Sequence, residues 1–215
     1  MTNINHHLND QLLLGYSAGN LPEAFNLIVA THLSLCDECR ARLESFDALG
    51  GALLDEQEMV ELDDDSFDKA MALIENAPMA RPERTKPTCG VLPSPLIDYV
   101  GGDLSAVKWR GIGGGVKQAV LKTSKEANIR LLSIPGGTAI PDHGHHGMEL
   151  TMVLQGAFTD EDGRFGRGDI EIAGEHVEHT PIAEPGMDCI CLAATDAPLR
   201  FNGFLPRIVQ PFIKI

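Results

Sequence analysis

The sequence predicts an α+β protein with two domains, an N-terminal all-α helical bundle and a C-terminal all-β sandwich or barrel. Three observations lead to this fold class. Apolar residues recur at helical spacing in the first part of the chain, prolines then crowd a short segment, and beyond it short apolar runs are separated by glycines. With 215 residues, 43% of them hydrophobic, the chain is long enough to bury two small cores.

Four helices are predicted in the first domain. Asn9 suits the N-cap of the first helix, which stops at Gly19. Pro22 suits the first turn of the second helix, PEAFNLIVATHL. The third helix covers ECRARLESFDALGGALLDE, although its paired glycines weaken it, and the fourth is SFDKAMALIENA.

The fourth predicted helix has an apolar stripe with no obvious partner in its own domain. It follows the acidic run at residues 63–65, whose charge favours a helix N-terminus. Phe67, Met71 and Ile74 lie on one side of it. Because an amphipathic helix beside a linker has little to pack on, we expect these three side chains to contact a partner protein.

The proline-rich segment PMARPERTKPTCGVLPSP predicts a linker over residues 78–95. It separates a helical domain at 1–77 from a β domain at 96–215, and it would let the two parts move relative to each other. The strands expected in the β domain are QAVLK, IRLLSI, ELTMVL, DIEIA, CICLAA and IVQPFIKI.

Composition and charge exclude several classes of protein. The first 80 residues hold 15 acidic and 3 basic residues, a net charge of −12 out of −14 for the whole chain. Direct nucleic-acid binding by this part is therefore not expected, whereas an acidic module can cover a basic protein. We find neither a bilayer-length apolar stretch nor a secretory signal, so we expect a soluble cytoplasmic protein without membrane contact.

The stretch THLSLCDECR contains the first candidate metal site. His32, Cys36 and Cys39 follow the pattern H-x3-C-x2-C, which on a continuous helix places all three on one face. Thiolate and imidazole ligands suit tetrahedral zinc, and a fourth ligand is available from His6 or His7. The alternatives are a thioredoxin-like redox pair, which lacks its usual α/β context here, and buried structural thiols beside a histidine.

The stretch GTAIPDHGHHGMELTMVLQG contains the second candidate site. From Gly137 to Gly156 it reads G-x5-H-x-H-x3-E-x6-G, through His143, His145 and Glu149. Alternation along a strand points the two histidines the same way. A later histidine in GDIEIAGEHVEHTP completes a set of three imidazoles and one carboxylate. These ligands accept Zn, Mn, Fe, Ni or Cu.

This second pattern resembles the first sequence motif of the cupins, which are double-stranded β-helix barrels with an internal metal. The second cupin motif maps onto Gly168 and His179, but Gly174, His176 and Ala183 stand where that motif has proline, glycine and asparagine. The resemblance implies an all-β cupin barrel for the second domain. It implies His179 as the fourth ligand, with His176 as its rival, and a divalent metal, for which zinc is expected and Mn, Fe or Ni are the alternatives.

The first site resembles the zinc-binding anti-sigma domain of the ChrR-like anti-sigma factors. In that family the pattern is H-x(about 25)-H-x3-C-x2-C, and the step from His7 to His32 fits it better than a step from His6. The order of the domains and the later stretch DCICLAATDAPLRFN are similar to the same family. The resemblance therefore implies a zinc-bound bundle with His7, His32, Cys36 and Cys39 as ligands.

The same resemblance implies a function. ChrR-like proteins sequester an extracytoplasmic-function sigma factor in a one-to-one complex, and their cupin domain transmits the response to oxidative stress from singlet oxygen or related oxidants. We therefore expect a negative regulator of transcription rather than an enzyme. The alternative is a metal-dependent cupin dioxygenase or isomerase with an N-terminal protein-interaction domain. The absence of a further acid–base pair in the sequence favours the regulator.

Three cysteines lie outside the first site. Cys189 and Cys191 are expected on one face of a strand, either as oxidant-sensitive thiols or as buried packing. Cys89 lies in the predicted linker, where it is incidental.

Overall fold

The computed structural model describes residues 3–77, 90–174 and 177–201. It contains five helices within these ranges: α1 (Asp10–Ser17), α2 (Glu23–Leu33), α3 (Asp37–Asp55), α4 (Ser66–Asn76) and α5 (Ser94–Val100). The first four are the predicted helices. Asn9 caps α1 as predicted, because its side-chain oxygen accepts a hydrogen bond from the Leu12 amide at 2.9 Å. No helix of the described residues is long and apolar enough to cross a membrane.

Helix α5 was not predicted. It begins at Ser94, within the segment predicted as a linker, and Pro95 sits in its first turn, where a proline is tolerated. The rest of that segment from residue 78 to 89, including Cys89, lies outside the described residues. The domain boundaries at 1–77, 78–95 and 96–215 stay a prediction.

After a short 3₁₀ turn at Leu104–Ala106, the regular elements that the structure describes up to residue 201 are all strands. The strands are β1 (Arg110–Gly113), β2 (Val116–Leu121), β3 (Asn128–Ile134), β4 (His143–His145), β5 (Glu149–Gln155), β6 (Ala157–Asp160), β7 (Gly163–Gly166), β8 (Ile170–Ala173), β9 (Glu178–His179), β10 (Ile182–Ala183), β11 (Cys189–Thr195) and β12 (Leu199–Phe201). Five of the predicted strands are present, and the sixth, IVQPFIKI, lies outside the described residues.

Three antiparallel sheets make up the β domain. The largest has the order β1-β2-β3-β11-β5-β8, and two smaller sheets have the orders β10-β6-β7 and β12-β4-β9. All three contribute to the wall of a cavity of about 100 Å³. The predicted barrel is confirmed, and with it the α+β fold class.

The central strands β11 and β5 of the large sheet are buried on both faces, and because side chains alternate along a strand, their two faces have different surroundings. On β11, Cys191 and Ala193 line the cavity, whereas Leu192 and Ala194 belong to the core on the outer side. Polar residues at cavity-facing positions, such as Arg130 on β3, are therefore enclosed rather than solvated.

Helix α2 covers the outer face of this sheet. It contacts β11, β5 and β3, and one hydrophobic cluster runs from the helices into the strands, so that Ile28 of α2 and Leu192 of β11 belong to the same core. Glu23 adds polar ties, since its carboxylate accepts hydrogen bonds from the Tyr99 hydroxyl at 2.9 Å and the Ser124 amide at 2.6 Å. The helical part therefore shares its core with the barrel.

Helix α4 is the opposite case, because none of its side chains is buried. Phe67 is 73% exposed, Ile74 is 67% exposed and Met71 is 38% exposed. The C-terminal half of α3 likewise exposes Leu49 and Leu53. The apolar stripe predicted from the sequence is thus present on a helix that is not packed into the core.

Candidate metal centres

The ligands of the first site come from the N-terminal segment, the end of α2 and the start of α3. His32 lies in the last turn of α2, Cys36 is the N-cap of α3, and Cys39 lies in its first turn. The ligands do not lie on one continuous helix: α2 ends at Leu33 and α3 begins at Asp37, in agreement with the two separate helices predicted on either side of this stretch. The Cys36 sulfur accepts a hydrogen bond from the Cys39 amide at 3.4 Å, which is the capping role that starts a new helix here.

The four predicted ligands converge on one point. The His7 Nδ1 atom lies 3.3 Å from the Cys36 sulfur and 3.7 Å from the Cys39 sulfur, and His32 Nε2 lies 3.3 Å from the Cys39 sulfur. Tetrahedral zinc with ordinary Zn–S and Zn–N bonds separates sulfur from nitrogen by about 3.6 Å. His6 points elsewhere, since its ring packs against Phe165 with 4.2 Å between the centroids. The donor set and its spacing therefore fit zinc.

The outer nitrogen of each histidine in this cluster has a partner. His7 Nε2 lies 3.4 Å from the Glu38 carboxylate, and His32 Nδ1 lies 2.9 Å from the Gly168 carbonyl oxygen. Acceptor oxygens placed in this way favour the proton on the outer nitrogen and leave the inner nitrogen's lone pair for a metal. Glu38 belongs to α3, whereas Gly168 belongs to the barrel.

Burial favours the neutral form of both His32 and Cys39. Desolvation lowers the pKa of His32 to about 4, so its imidazole is neutral at physiological pH, as ligation requires. Desolvation raises the pKa of Cys39 to about 11. The Cys39 thiolate therefore needs a nearby cation, which a divalent metal supplies.

In the barrel, two of the predicted ligands face each other. His143 on β4 pairs with His179 on β9 in register, and their Nε2 atoms are 3.3 Å apart. Two imidazole nitrogens bound to one ion lie about 3 Å apart. His143 Nδ1 bonds the Pro141 carbonyl oxygen at 3.0 Å, so its proton lies on the far side of the ring. The pair is placed as two ligands of one metal would be.

The remaining predicted barrel ligands are less fully defined. Glu149 lies at the start of β5 and lines the same cavity, where its Oε1 atom accepts a hydrogen bond from the Thr151 hydroxyl at 2.9 Å. The backbone of His145 lies in β4, but its side chain is outside what the structure describes, as is His176 entirely. The complete four-ligand set thus stays a prediction.

Two carboxyl groups beside His179 were missed by the sequence reasoning. Asp160 Oδ2 lies 3.1 Å and Glu171 Oε1 lies 2.8 Å from His179 Nδ1. Burial raises the pKa of Glu171 to about 7. Burial also disfavours the charged form of His179, but the two carboxyl groups outweigh it and raise the pKa of His179 to about 9. The sequence feature that could have indicated Glu171 is its position as a charged residue inside the apolar strand IEIA.

Cys189 and Cys191 lie on one face of β11, as predicted. Their sulfur atoms are 3.5 Å apart and both side chains are buried. The pKa of Cys191 is raised by its contact with Cys189 and by burial, which keeps this thiol protonated.

Comparison with known proteins shows the family. Residues 99–198 match a family model described as the ChrR cupin-like domain. The chain is 59% identical over 212 residues to the anti-sigma-E factor ChrR of Cereibacter sphaeroides, a match that covers 99% of each protein. It is also similar to the crystal structure of Rhodobacter sphaeroides SigE in complex with the anti-sigma ChrR, with a TM-score of 0.79 and 57% identity over 90% of this chain and 100% of that chain.

These relatives confirm the predicted resemblance, the cupin fold of the barrel and a regulatory rather than enzymatic role. The chain therefore belongs to the family of ChrR anti-sigma factors.

Proposed function

We propose that this protein inhibits transcription by holding an extracytoplasmic-function sigma factor in a one-to-one complex. The observation that carries the proposal is the exposed apolar stripe of α4, formed by Phe67, Met71 and Ile74. The relative of known structure was crystallised as a complex with SigE, which supports a sigma factor as the occupant. The acidic charge of the first 80 residues suits a basic partner and disfavours direct contact with nucleic acid.

In this proposal the first site holds a structural zinc ion. His7, His32, Cys36 and Cys39 are its ligands, and all four protein ligands are present, as in closed structural zinc sites. The ion would join the N-terminal segment to α2 and α3, and so orient the helices that lead to α4. Its loss is expected to weaken sigma binding through the fold rather than through a direct contact.

The barrel is proposed to hold a second divalent metal and to control release of the sigma factor. His143, His145, Glu149 and His179 are the proposed ligands, with zinc expected and Mn, Fe or Ni as alternatives. All four are nitrogen or oxygen donors, a set that can accept a further small ligand. The inducing condition is proposed to be oxidative stress, from singlet oxygen or a related oxidant.

The proposal is tested by measuring binding to purified SigE, the partner named for the crystallised relative. We expect Phe67→Asp to weaken the complex at least tenfold in calorimetry, because an interface residue of this size is typically worth about 2 kcal/mol and the new carboxylate must also be desolvated. Asn76→Asp is the matched control, since it adds the same charge on the opposite side of α4.

The zinc content should stay unchanged in both variants, because α4 contributes no ligand. Equal affinity of Phe67→Asp and the wild type for SigE would exclude the α4 stripe from the interface. Absence of binding by the wild-type protein would reject SigE-type sigma factors as partners.

A further inference from the structure

The first site, formed by His7, His32, Cys36 and Cys39, lies beside a turn of the barrel. This turn, residues 166–169, connects β7 to β8. It meets the first site in two places, at the ring of His32 and at the backbone just before His7. The turn thus contacts one histidine of the cluster directly and the other through the backbone of the two residues that precede it.

The first contact fixes the ring of His32. Its Nδ1 atom lies 2.9 Å from the carbonyl oxygen of Gly168, and the ring is fully buried. Because a carbonyl oxygen can only accept a hydrogen bond, the ring proton at this contact lies on Nδ1 and is donated to Gly168. The lone pair of Nε2 is thereby directed at Cys39.

The second contact fixes the chain that carries His7. The Asp169 carboxylate is only 2% exposed, and its Oδ1 atom accepts hydrogen bonds from the amides of Asn5 at 2.6 Å and His6 at 2.9 Å. The amide of Ile170 donates in return to the His6 carbonyl oxygen at 3.3 Å. The barrel therefore binds both the amide and the carbonyl group of His6, the residue next to His7.

The conformation of the turn 166–169 allows the N-terminal segment to approach closely. Asp169 also accepts a bond from the Gly166 amide at 2.8 Å, which closes the turn on itself. Gly168 has φ +95°, and a Cβ atom there would lie 2.6 Å from the side chain of Ile4. Only glycine combines this backbone conformation with the close approach of the N-terminal segment.

We propose that the turn 166–169 is the outer shell of the zinc site, so that the barrel, through Gly168 and Asp169, positions both histidine ligands of the anti-sigma domain. Asp169 is a positioning residue that acts through the backbone of Asn5 and His6, and Gly168 acts through His32. The proposal rests on the zinc site of the proposed function. It implies that the metal affinity of the helical part depends on the state of the barrel, and by linkage that the metal affects the turn.

The test compares Asp169→Ala with the wild type in the full-length protein. Cobalt replaces zinc, and the thiolate-to-cobalt absorption reports on Cys36 and Cys39 alone, because the proposed barrel ligands include no cysteine. Loss of outer-shell partners typically costs 10–100-fold in metal affinity. We expect a chelator to remove cobalt from Asp169→Ala at least about tenfold faster, and Asp169→Asn, which keeps one acceptor oxygen, to lie in between.

The matched control is Asp196→Ala. Asp196 also accepts a backbone amide bond within the β domain, from Met148 at 2.8 Å, but it has no hydrogen bond with the described part of the N-terminal segment, residues 3–9. Equal release rates for Asp169→Ala, Asp196→Ala and wild type would overturn the proposal. A wild-type protein that shows no thiolate-to-cobalt absorption would instead reject the zinc site itself.

A second measurement needs no substitution. Removing the metal from the wild-type protein should speed hydrogen exchange of the Ile170 amide, whose partner is the His6 carbonyl, while the amide of Leu131 in β3 should exchange as before. Unchanged exchange at Ile170 in a protein whose metal loss has been verified would show that the turn and the site are not coupled.

Discussion

Replacing Ile28 by alanine tests whether the helices and the barrel fold as one unit. Ile28 is fully buried on α2 and belongs to the cluster that continues into the large sheet. The substitution removes three carbon groups, worth about 2.4 kcal/mol at roughly 0.8 kcal/mol each. The cavity left behind brings the loss in free energy of unfolding to about 3 kcal/mol. For a protein of this size the midpoint of thermal unfolding should fall by about 10 °C.

The assay uses two probes that report on different parts of the zinc-loaded protein. Far-ultraviolet circular dichroism follows the helices, whereas fluorescence follows Trp109, the chain's single tryptophan, which packs against the same cluster just before β1. A shared core requires both midpoints to fall together, because two-state unfolding gives coincident transitions. The control Leu53→Ala, at an exposed position of α3, should change stability by no more than about 0.5 kcal/mol. If only the circular dichroism midpoint shifted, the two parts would have separate cores and the reasoning would fail.

Two further predictions concern the metal sites. Cys36→Ser should remove about one equivalent of zinc and lower the helix content at the same time, because ligation and folding are coupled; elemental analysis and circular dichroism measure the two effects. The control Cys189→Ser, which changes a thiol outside the cluster, should keep that zinc. Full zinc content in Cys36→Ser would contradict the ligand assignment. His143→Ala should leave inhibition of the sigma factor intact in unstressed cells and blunt induction under singlet oxygen, measured with a reporter gene. Constitutive expression in the His143 variant would instead make the barrel part of the clamp.

The ligands of the first site were predictable because their spacing is local. Three of them lie within eight positions, and helix geometry limits where such close neighbours can point. The break between α2 and α3 was predicted, because the second helical pattern ends at Leu33 and the third begins at Glu38. The role of Cys36 as the cap of α3 was not predicted, since sulfur is a weak signal for that role. The ligands stay together nonetheless, because only residues 34–36 separate the two helices and the amides of Leu35 and Cys36 both donate to the His32 carbonyl oxygen at 2.9 Å.

The contacts between the two parts were beyond local sequence reasoning. The bond from His32 to Gly168 spans 136 residues, and nothing around either residue indicates the other. The buried outer face of the sheet was visible in principle, because strands such as ELTMVL and CICLAA are apolar at consecutive positions rather than alternating. Such a run indicates a strand covered on both faces. What covers it is a question of topology, which the pattern of one strand does not decide.

The shared core bears on how a signal in the barrel would reach the proposed sigma-binding surface. The linker was expected to let the two parts move apart, but α2 is buried against the large sheet and Glu23 and Asp169 tie the parts together. Separating them would expose the apolar outer face of the sheet to water. Helix α4 has no buried side chain, so its displacement costs little by comparison. The first site lies between these regions, since the turn 166–169 contacts His32 and the backbone of His6, and the cysteines of the site begin α3, the helix that leads towards α4. A change in the barrel is therefore expected to reach α4 at a lower cost in free energy through the metal ligands and α3 than through separation of the two domains.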